Sequence, residues 1–458
     1  MPASVGALSG RWSRLHPLSP VARFGVTVGI LVIPVLYTLA NLAGGGGTSG
    51  PPAGRGGQTD ALIDALVLGA LVLLTLVTGV VSWLVTRWRV VGDELQIDTG
   101  LIVRQSLRFP LRRIQAVDIV APLTARLLGL AEVRVISAGV GHHQHGRLAY
   151  LRNQDAAAVR AQLLALAHGL AAETPEPPAL PLFHVDNGRL VAAALLRGPV
   201  FGGITVVVLL GLLAAVAAPT RDSTETVTSL ISGLATALVA LGLEAARFVN
   251  TDFDFTIGEA PDGLRLHRGL LQKRHETVPY ARVQAVRLLR PLLWRPFGWA
   301  RVELDVARQP GPVRQAEARQ VARLLAPVAS VAEAQWLVSR VMPGAPLVLG
   351  RGCAPPPRAT IRAPLSYHYL RAWNDQRYLV TQTGRVRPST VVVPLEKVQS
   401  IRLRTGPLLR ALRLADLRVD TAGHRWVGEA LCRDQGEADR LVDDLSMLAR
   451  RARRARLS

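Results

Sequence analysis

Long apolar runs and short alternating stretches take turns along this chain. Residues 21–43 are almost wholly apolar, and so are 61–85, where only Asp64 near the start is charged. Two further runs fall at about 191–218 and 227–248. Each is long enough to cross a bilayer as a helix. The first is longer than a signal-peptide core and lacks a small-x-small cleavage site. A Gly/Pro loop at 44–58 separates the first two runs, and a short polar loop at 220–225 separates the second two. The expectation is four transmembrane helices in two hairpins.

Between and after these runs the pattern shifts to the loose alternation of half-buried strands. Arg87 to Val91 reads as a strand, Gly92-Asp-Glu as a turn, 95–98 as a strand, and 107–120 as further strands. Pro122 opens a short helix to 128 from its first turn, 132–137 is another strand, and Asp155 caps an amphipathic helix over 156–170. The order recurs with strands at 253–257 and 264–267 about a Pro261-Asp-Gly turn, a helix at about 315–325, and a further helical stretch at 332–341 without counterpart in the first copy. It recurs again near Tyr367, with a turn at Asn374-Asp375 and a helix from Glu437 onward. The expected division is a basic N-terminus (1–20), hairpin one (21–85), module one (86–171), a Pro-rich linker (172–190), hairpin two (191–248), module two (249–342), a second Pro-rich linker (343–365), module three (366–449) and a polybasic tail (450–458).

One motif sits at the centre of each module. Its second copy reads Gly269-Leu-Leu-Gln-Lys-Arg-His-Glu-Thr-Val-Pro279-Tyr-Ala-Arg282-Val-Gln284. The spacing is kept without insertion at Gly100, Pro110, Arg113 and Gln115, and at Gly384, Pro394, Lys397 and Gln399. The register continues through Arg126, Arg295 and Arg410 to Val133, Val302 and Leu417. Agreement held this far in three places means one supersecondary unit used three times. Glycine at the start suits a turn that needs positive φ, and the glutamines suit backbone groups that need a partner.

A β-sandwich closed by a C-terminal helix resembles a pleckstrin-homology (PH) fold. The Gly…Pro…Gln motif, followed by Arg-Leu-Leu-Gly-Leu-Ala-Glu-Val at 126–133, resembles the bacterial PH-like domain of YdbS/YdbT-type membrane proteins, and the full organisation resembles the longer, YdbT-like members. The fold class expected is therefore an α+β membrane protein: four transmembrane helices in two hairpins plus three cytosolic PH-like β-sandwich modules, each closed by a C-terminal helix. The resemblance implies a bacterial inner-membrane protein without known enzymatic activity, sometimes linked to envelope stress and resistance to antimicrobial agents. It carries no functional residues across. Module three departs from the pattern: Pro407 comes one place later than Pro122 and Pro291, and Arg413 replaces Gly129 and Gly298.

The net charge of +21 is nearly all arginine, since Lys273 and Lys397 are the only lysines. Such a balance points to an anionic partner, either nucleic acid or an acidic membrane face. An Ala/Arg-rich composition also fits a high-GC genome. Arg11, Arg14, Arg23, Arg87 and Arg89 flank the first pair of runs, against Arg55 alone in the loop between them. By the positive-inside rule both termini and all modules then face the cytoplasm.

Arg113, Arg282, Lys397, Arg126, Arg295 and Arg410 are candidates for binding anionic headgroups, because a basic fork fits phosphate and each basic residue near an anionic leaflet adds about 1 kcal/mol. The competing reading is structural: recurrence marks a fold constraint as readily as a site, and an arginine stem covers apolar edges. Arg450, Arg451, Arg453 and Arg454 extend the last helix and fit the same lipid surface; nucleic acid is the rival, without aromatics for base stacking. His142, His143 and His145 form a loop that fits a metal by residue type, but a solvated hairpin tip fits it better. Arg197 and Glu244 lie within apolar runs and are expected to pair or to snorkel. Cys353 and Cys432 form no CxxC and read as ordinary thiols.

No phosphate loop, dinucleotide fingerprint, zinc-protease motif or nucleophile elbow occurs, so no catalytic residue, metal or cofactor is expected. The functional expectation is a non-enzymatic, membrane-anchored binding or scaffold protein. Its partners would be anionic lipids, an unidentified protein such as a shorter family member, or further copies of itself. The alternatives are a transport or efflux component, and a membrane-tethered nucleic-acid binder.

Overall fold

The computed structural model describes residues 12–22, 55–100, 105–137, 146–167, 169–170, 174, 176–217, 223–261, 263–307, 323–347, 350, 352–423, 426 and 428–457. They belong to two compact units, Met1–Pro177 with Leu271–Glu276, and Pro178–Leu270 with Thr277–Ser458.

The first unit carries β1 (Ser13–Arg14), α1 (Arg55–Val85), β2 (Arg87–Val91), β3 (Glu94–Thr99), β4 (Gln105–Pro110), β5 (Ile114–Ala121), α2 (Leu123–Leu127), β6 (Leu130–Ser137), β7 (Gly146–Arg152) and α3 (Asn153–Ala167). One antiparallel sheet runs β1-β2-β3-β4, and β5, β6 and β7 pair in succession in a second. Period-two alternation turns Trp88 and Val90 inward from β2, and Leu95 and Ile97 from β3. They meet Val117, Val133, Val135 and Leu148, and α3 closes this core with Ala156, Val159 and Leu163.

The second unit begins with β8 (Leu180–His184), α4 (Asn187–Leu195), α5 (Gly198–Ala217), α6 (Ser223–Asp252), β9 (Thr256–Ala260) and β10 (Gly263–Arg268). After them comes β11 (Lys273–Val278), whose first residues belong to the first unit, where Lys273 pairs with Ala121 and His275 with Ile119. Then follow β12 (Val283–Leu289), β13 (Trp299–Val306), β14 (Arg323–Ser330), α7 (Val331–Val341), β15 (Arg371–Asn374), β16 (Tyr378–Thr383), β17 (Ser389–Pro394), β18 (Val398–Arg404), α8 (Pro407–Ala411), β19 (Leu414–Thr421), β20 (Gly428–Asp434) and α9 (Gln435–Leu457). A six-stranded antiparallel sheet runs β14-β13-β12-β17-β16-β15, and a three-stranded one runs β18-β19-β20.

The four-span architecture is not what forms. Among the described residues one helical stretch, Ser232–Asp252, is long and apolar enough to cross a membrane, with mean hydropathy 1.4; Gly69–Val85 is apolar but shorter. The expected span at 191–218 breaks at Leu196-Arg197. Its first part is α4, a capped amphipathic helix: Asp186 accepts from the Arg189 N–H at 2.9 Å, and Leu190, Ala193 and Ala194 are buried against Phe248, Trp294 and Val328. Hydropathy alone does not separate such a surface helix from the apolar one after it, because Val191 and Leu195 on its exposed face keep the average high. The expected span at 21–43 lies outside the described residues except for Val21 and Ala22, and Ala22 is buried against Ala125, Leu130 and Tyr150. The architecture is a β-rich, PH-like one of large antiparallel sheets.

Two further expectations change. Leu324 and Leu325, expected in a helix, are buried in β14, which pairs with β13; residues 315–322 of that helix lie outside the described residues. The modules are also not self-contained sandwiches. β12 of the second repeat pairs with β17 of the third, and Tyr378, Val380 and Val392 join a core with Val286, Leu288, Leu304 and Leu337.

Candidate functional site

The motif folds into the same turn at each copy. Pro110, Pro279 and Pro394 have φ of −59°, −62° and −66° with extended ψ. Each leads a single 3-10 turn, Leu111–Arg113, Tyr280–Arg282 and Leu395–Lys397. The chain then straightens at Ile114, Val283 and Val398, all with ψ of 123°. Proline fixes the φ that the turn needs, and the β-branched residue that follows starts a buried strand. The leading glycines have the expected positive φ: 96° at Gly100, 107° at Gly269 and 87° at Gly384.

The helix–strand corner is also built three times. Gly129, Gly298 and Arg413 are left-handed, with φ of 67°, 63° and 50°. Their carbonyls accept from the N–H groups of Asn153, Val331 and Gln435 at 3.0, 3.0 and 3.1 Å. Arg413 therefore keeps the corner that glycine makes elsewhere. The bond also identifies α7, rather than the expected helix at 315–325, as the closing helix of the second repeat. Ser330 and Glu333 form a capping box at its start, and Arg189 pairs with Glu333 at 2.7 Å.

The repeated basic positions have unlike environments. Arg282 Nη2 donates to the Ala307 carbonyl at 2.9 Å, and Lys397 Nζ donates to the Ala281 carbonyl at 3.1 Å, with Glu396 also at 3.1 Å. Arg295 donates to the Arg385 carbonyl and lies over the Tyr369 ring at 5.5 Å. These three stitch the second unit together. Arg113 and Arg126 in the first unit, and Arg410 in the second, have exposed side chains. Arg450, Arg451, Arg453 and Arg454 are exposed on α9, where cations complement the helix C-terminus; Arg453 also donates to the Val398 carbonyl at 2.9 Å. Gln284 donates to the Arg282 carbonyl at 3.3 Å, whereas Gln399 is exposed. The side chain of Gln115 and the loop with His142, His143 and His145 lie outside the described residues.

Arg197 and Glu244, expected to pair or to snorkel, make no ion-pair contact among the described residues, although the Glu244 charge acts on Arg197. The Arg197 guanidinium lies over the Phe248 ring at 4.4 Å, and Glu244 is exposed. Sequence reasoning missed the charges that anchor the end of α6. Asp252, 2% exposed, is held by Arg268 at 3.1 Å and Arg301 at 3.3 Å, and Arg301 also bonds Glu303 at 2.9 Å. A buried carboxylate at a helix C-terminus opposes the helix dipole, so it needs these cations. The only sequence signal was an acid just after an apolar run. Arg290 was missed as well: its Nε is buried with no partner among the described residues, and burial, then the Arg295 charge, lower it from the ordinary guanidinium range. Within the second turn, Tyr280 donates to Glu259 at 3.0 Å; burial, then that bond, push Tyr280 up to about 12. The Cys432 thiol is buried and pushed up by desolvation, while Cys353 is exposed.

These features define a class: antiparallel sheet repeats, each with a proline-led turn, a left-handed corner and a closing helix. The chain belongs to the Bacterial PH domain family, whose pattern matches residues 29–167, 207–335 and 327–449. It is similar to the UPF0699 transmembrane protein YdbT of Bacillus subtilis (strain 168), with 20% identity over 275 residues, covering 54% of this chain and 55% of that protein. It is also similar to the UPF0699 transmembrane protein YdbS of the same strain, with 39% identity over 69 residues, covering 15% of this chain and 42% of that protein. The chain thus spans about half the length of the relatives it matches. No solved structure matches it.

Proposed function

We propose that this protein is a non-enzymatic scaffold held at the bacterial inner membrane, presenting its PH-type sheets to anionic lipid headgroups on the cytoplasmic side. The observation that carries this reading is α6. Its apolar stretch leaves Leu238 46%, Val239 63% and Leu243 53% exposed, and α5 leaves Val206 55%, Val208 61% and Leu212 62% exposed. Apolar surface of that extent is costly in water and stable in lipid. The stretch ends among cations: Arg197 and Arg301 both lie over Phe248, at 4.4 and 5.5 Å. Arginines at the end of an apolar helix suit the cytoplasmic, anionic leaflet. That the relatives are named transmembrane proteins supports a membrane location, without a side.

The two thiols test the sidedness. Cys353 is exposed and Cys432 is buried. A membrane-impermeant maleimide added to intact cells is expected to leave Cys353 unlabelled until lysis, and Cys432 until denaturation. Labelling of Cys353 before lysis overturns the orientation. For the lipid, mass spectrometry of the chain purified in mild detergent is expected to find anionic lipids enriched over the bulk membrane. The enrichment should fall when Arg450, Arg451 and Arg454 are changed to Glu. An unchanged lipid complement in that variant removes the headgroup role.

A further inference from the structure

The junctions between successive repeats obey one rule. β12, which follows the second turn, pairs antiparallel with β17, which precedes the third: Val286↔Val392, Arg287↔Val391, Leu288↔Thr390 and Leu289↔Ser389. β5, which follows the first turn, pairs with β11, which precedes the second: Ile119↔His275, Val120↔Arg274 and Ala121↔Lys273. Counted from the basic residue of each turn, Leu288 and Ile119 hold the same place, and so do Thr390 and His275. The two junctions therefore share a register as well as a pair of strands.

Two strands are left over. β18 follows the third turn, and β4 precedes the first. Among the described residues β18 pairs with β19 alone, and β4 with β3 alone. The places that a partner strand covers elsewhere are open here. Leu403 is 37% exposed where its counterpart Leu288 is 1% exposed. Every residue of β17 is buried, whereas Gln105, Ser106 and Arg108 of β4 are exposed.

We propose that β18 of one copy of this chain takes β4 of a second copy, in the register of the internal junctions. That places Ile401 opposite Arg108, Arg402 opposite Leu107, Leu403 opposite Ser106 and Arg404 opposite Gln105. The edge arginines fit the pairing. Arg287 Nε donates to Ser389 Oγ at 2.8 Å across the internal junction. The same places on the open edges hold Arg402 and Gln105, and the glutamine carbonyl can accept what the serine accepts. Two different edges meet, so the contact is head-to-tail. It closes a ring if the rotation between copies allows, and otherwise builds a filament. The inference stands on strand register and does not depend on the membrane reading above.

The test uses the full chain in mild detergent, in a Cys353→Ser background where the remaining native thiol is buried. The chain carrying both Ser106→Cys and Leu403→Cys is oxidised with copper phenanthroline. Disulfide-linked species larger than dimers are expected, as a ladder or as one closed band. An equimolar mixture of the two single variants should stop at dimers. Pairing Ser106→Cys with Arg402→Cys shifts the register by one residue and turns the thiols to opposite faces, so cross-linking should fall at least tenfold. The proposal is overturned if the double variant stays monomeric. Equally strong cross-linking by Leu403→Cys alone, which means a symmetric contact, also overturns it. Light scattering on the unsubstituted chain supplies a readout without cysteines: a monomer mass at every concentration rejects self-association, even if β18 captures some other protein.

Discussion

β12 and β18 follow the same proline-led turn with the same types of residue, yet one lies inside a sheet and the other on its rim. Ala285 and Leu288 of β12 are 0% and 1% exposed, while Ser400 and Leu403 at the same places are open to solvent. The difference does not come from the strand itself. It comes from what lies alongside: the pre-turn strand β17 pairs with β12, and among the described residues no pre-turn strand pairs with β18. A strand's own sequence sets its faces, and the rest of the chain sets whether its edges are filled.

The largest expected effect comes from truncating both strands at the same place. Leu288→Ala should destabilise by about 2–5 kcal/mol, the range for a leucine removed from a close-packed core. Leu403→Ala should stay within about 0.5 kcal/mol, as for surface substitutions, when the chain is kept dilute. Denaturant midpoints in detergent give both values. Similar losses for the two variants would mean that β18 is already covered in the dilute chain. A Leu403→Ala loss that grows with protein concentration would instead report the self-pairing proposed above.

Much of the fold was legible because its determinants are local. Gly269, Pro279 and Val283 fix positive φ, φ near −62° and extension in that order, and the turn follows. β2, β3, the Asn374-Asp375 turn and α9 were likewise readable from period and turn chemistry. Pairing between repeats was not legible, since no local pattern tells β12 that β17 will lie beside it. The apolar run at 191–218 hid a break, because α4 exposes Val191 and Leu195 and so is apolar on both faces over that run. The repeated basic positions were legible as one register, but their environments were not. Arg282 ends on the Ala307 carbonyl just past β13, and Lys397 on the Ala281 carbonyl of the second turn, while Arg113 and Arg410 remain exposed.

The corner sharpens the comparison at a smaller scale. Arg413 holds φ 50° where Gly298 holds 63°. A left-handed side chain costs about 1–2 kcal/mol. Glycine there would relieve that strain but add about 0.4–1 kcal/mol of freedom to the unfolded chain. Arg413→Gly should therefore stabilise the third repeat by roughly 0.5–1 kcal/mol in thermal unfolding. The reverse change, Gly298→Ala, should destabilise the second repeat by a similar amount. A loss of stability in Arg413→Gly would show that the arginine side chain contributes more than its backbone costs.

The smallest effect separates the rim strand from the buried one by pH. Arg402 on β18 bonds Asp420 of β19, and Ser400 Oγ donates to the same oxygen at 2.8 Å. The Arg402 hydrogen bond, more than the burial that opposes it, holds Asp420 below the usual carboxylate range. The unfolded chain binds that proton more readily, so folding gains from the pair only where Asp420 is charged. The contribution is full above the unfolded value near 3.9 and is lost as pH falls through the lower folded value. It is small, because Arg402 is exposed and water and salt screen the pair. Melting temperatures of the native chain and of Arg402→Gln should differ at pH 5, converge as acid protonates Asp420, and differ less at high salt. A gap that does not narrow as pH falls would assign the effect of the substitution to the arginine stem packing on β19 rather than to its charge.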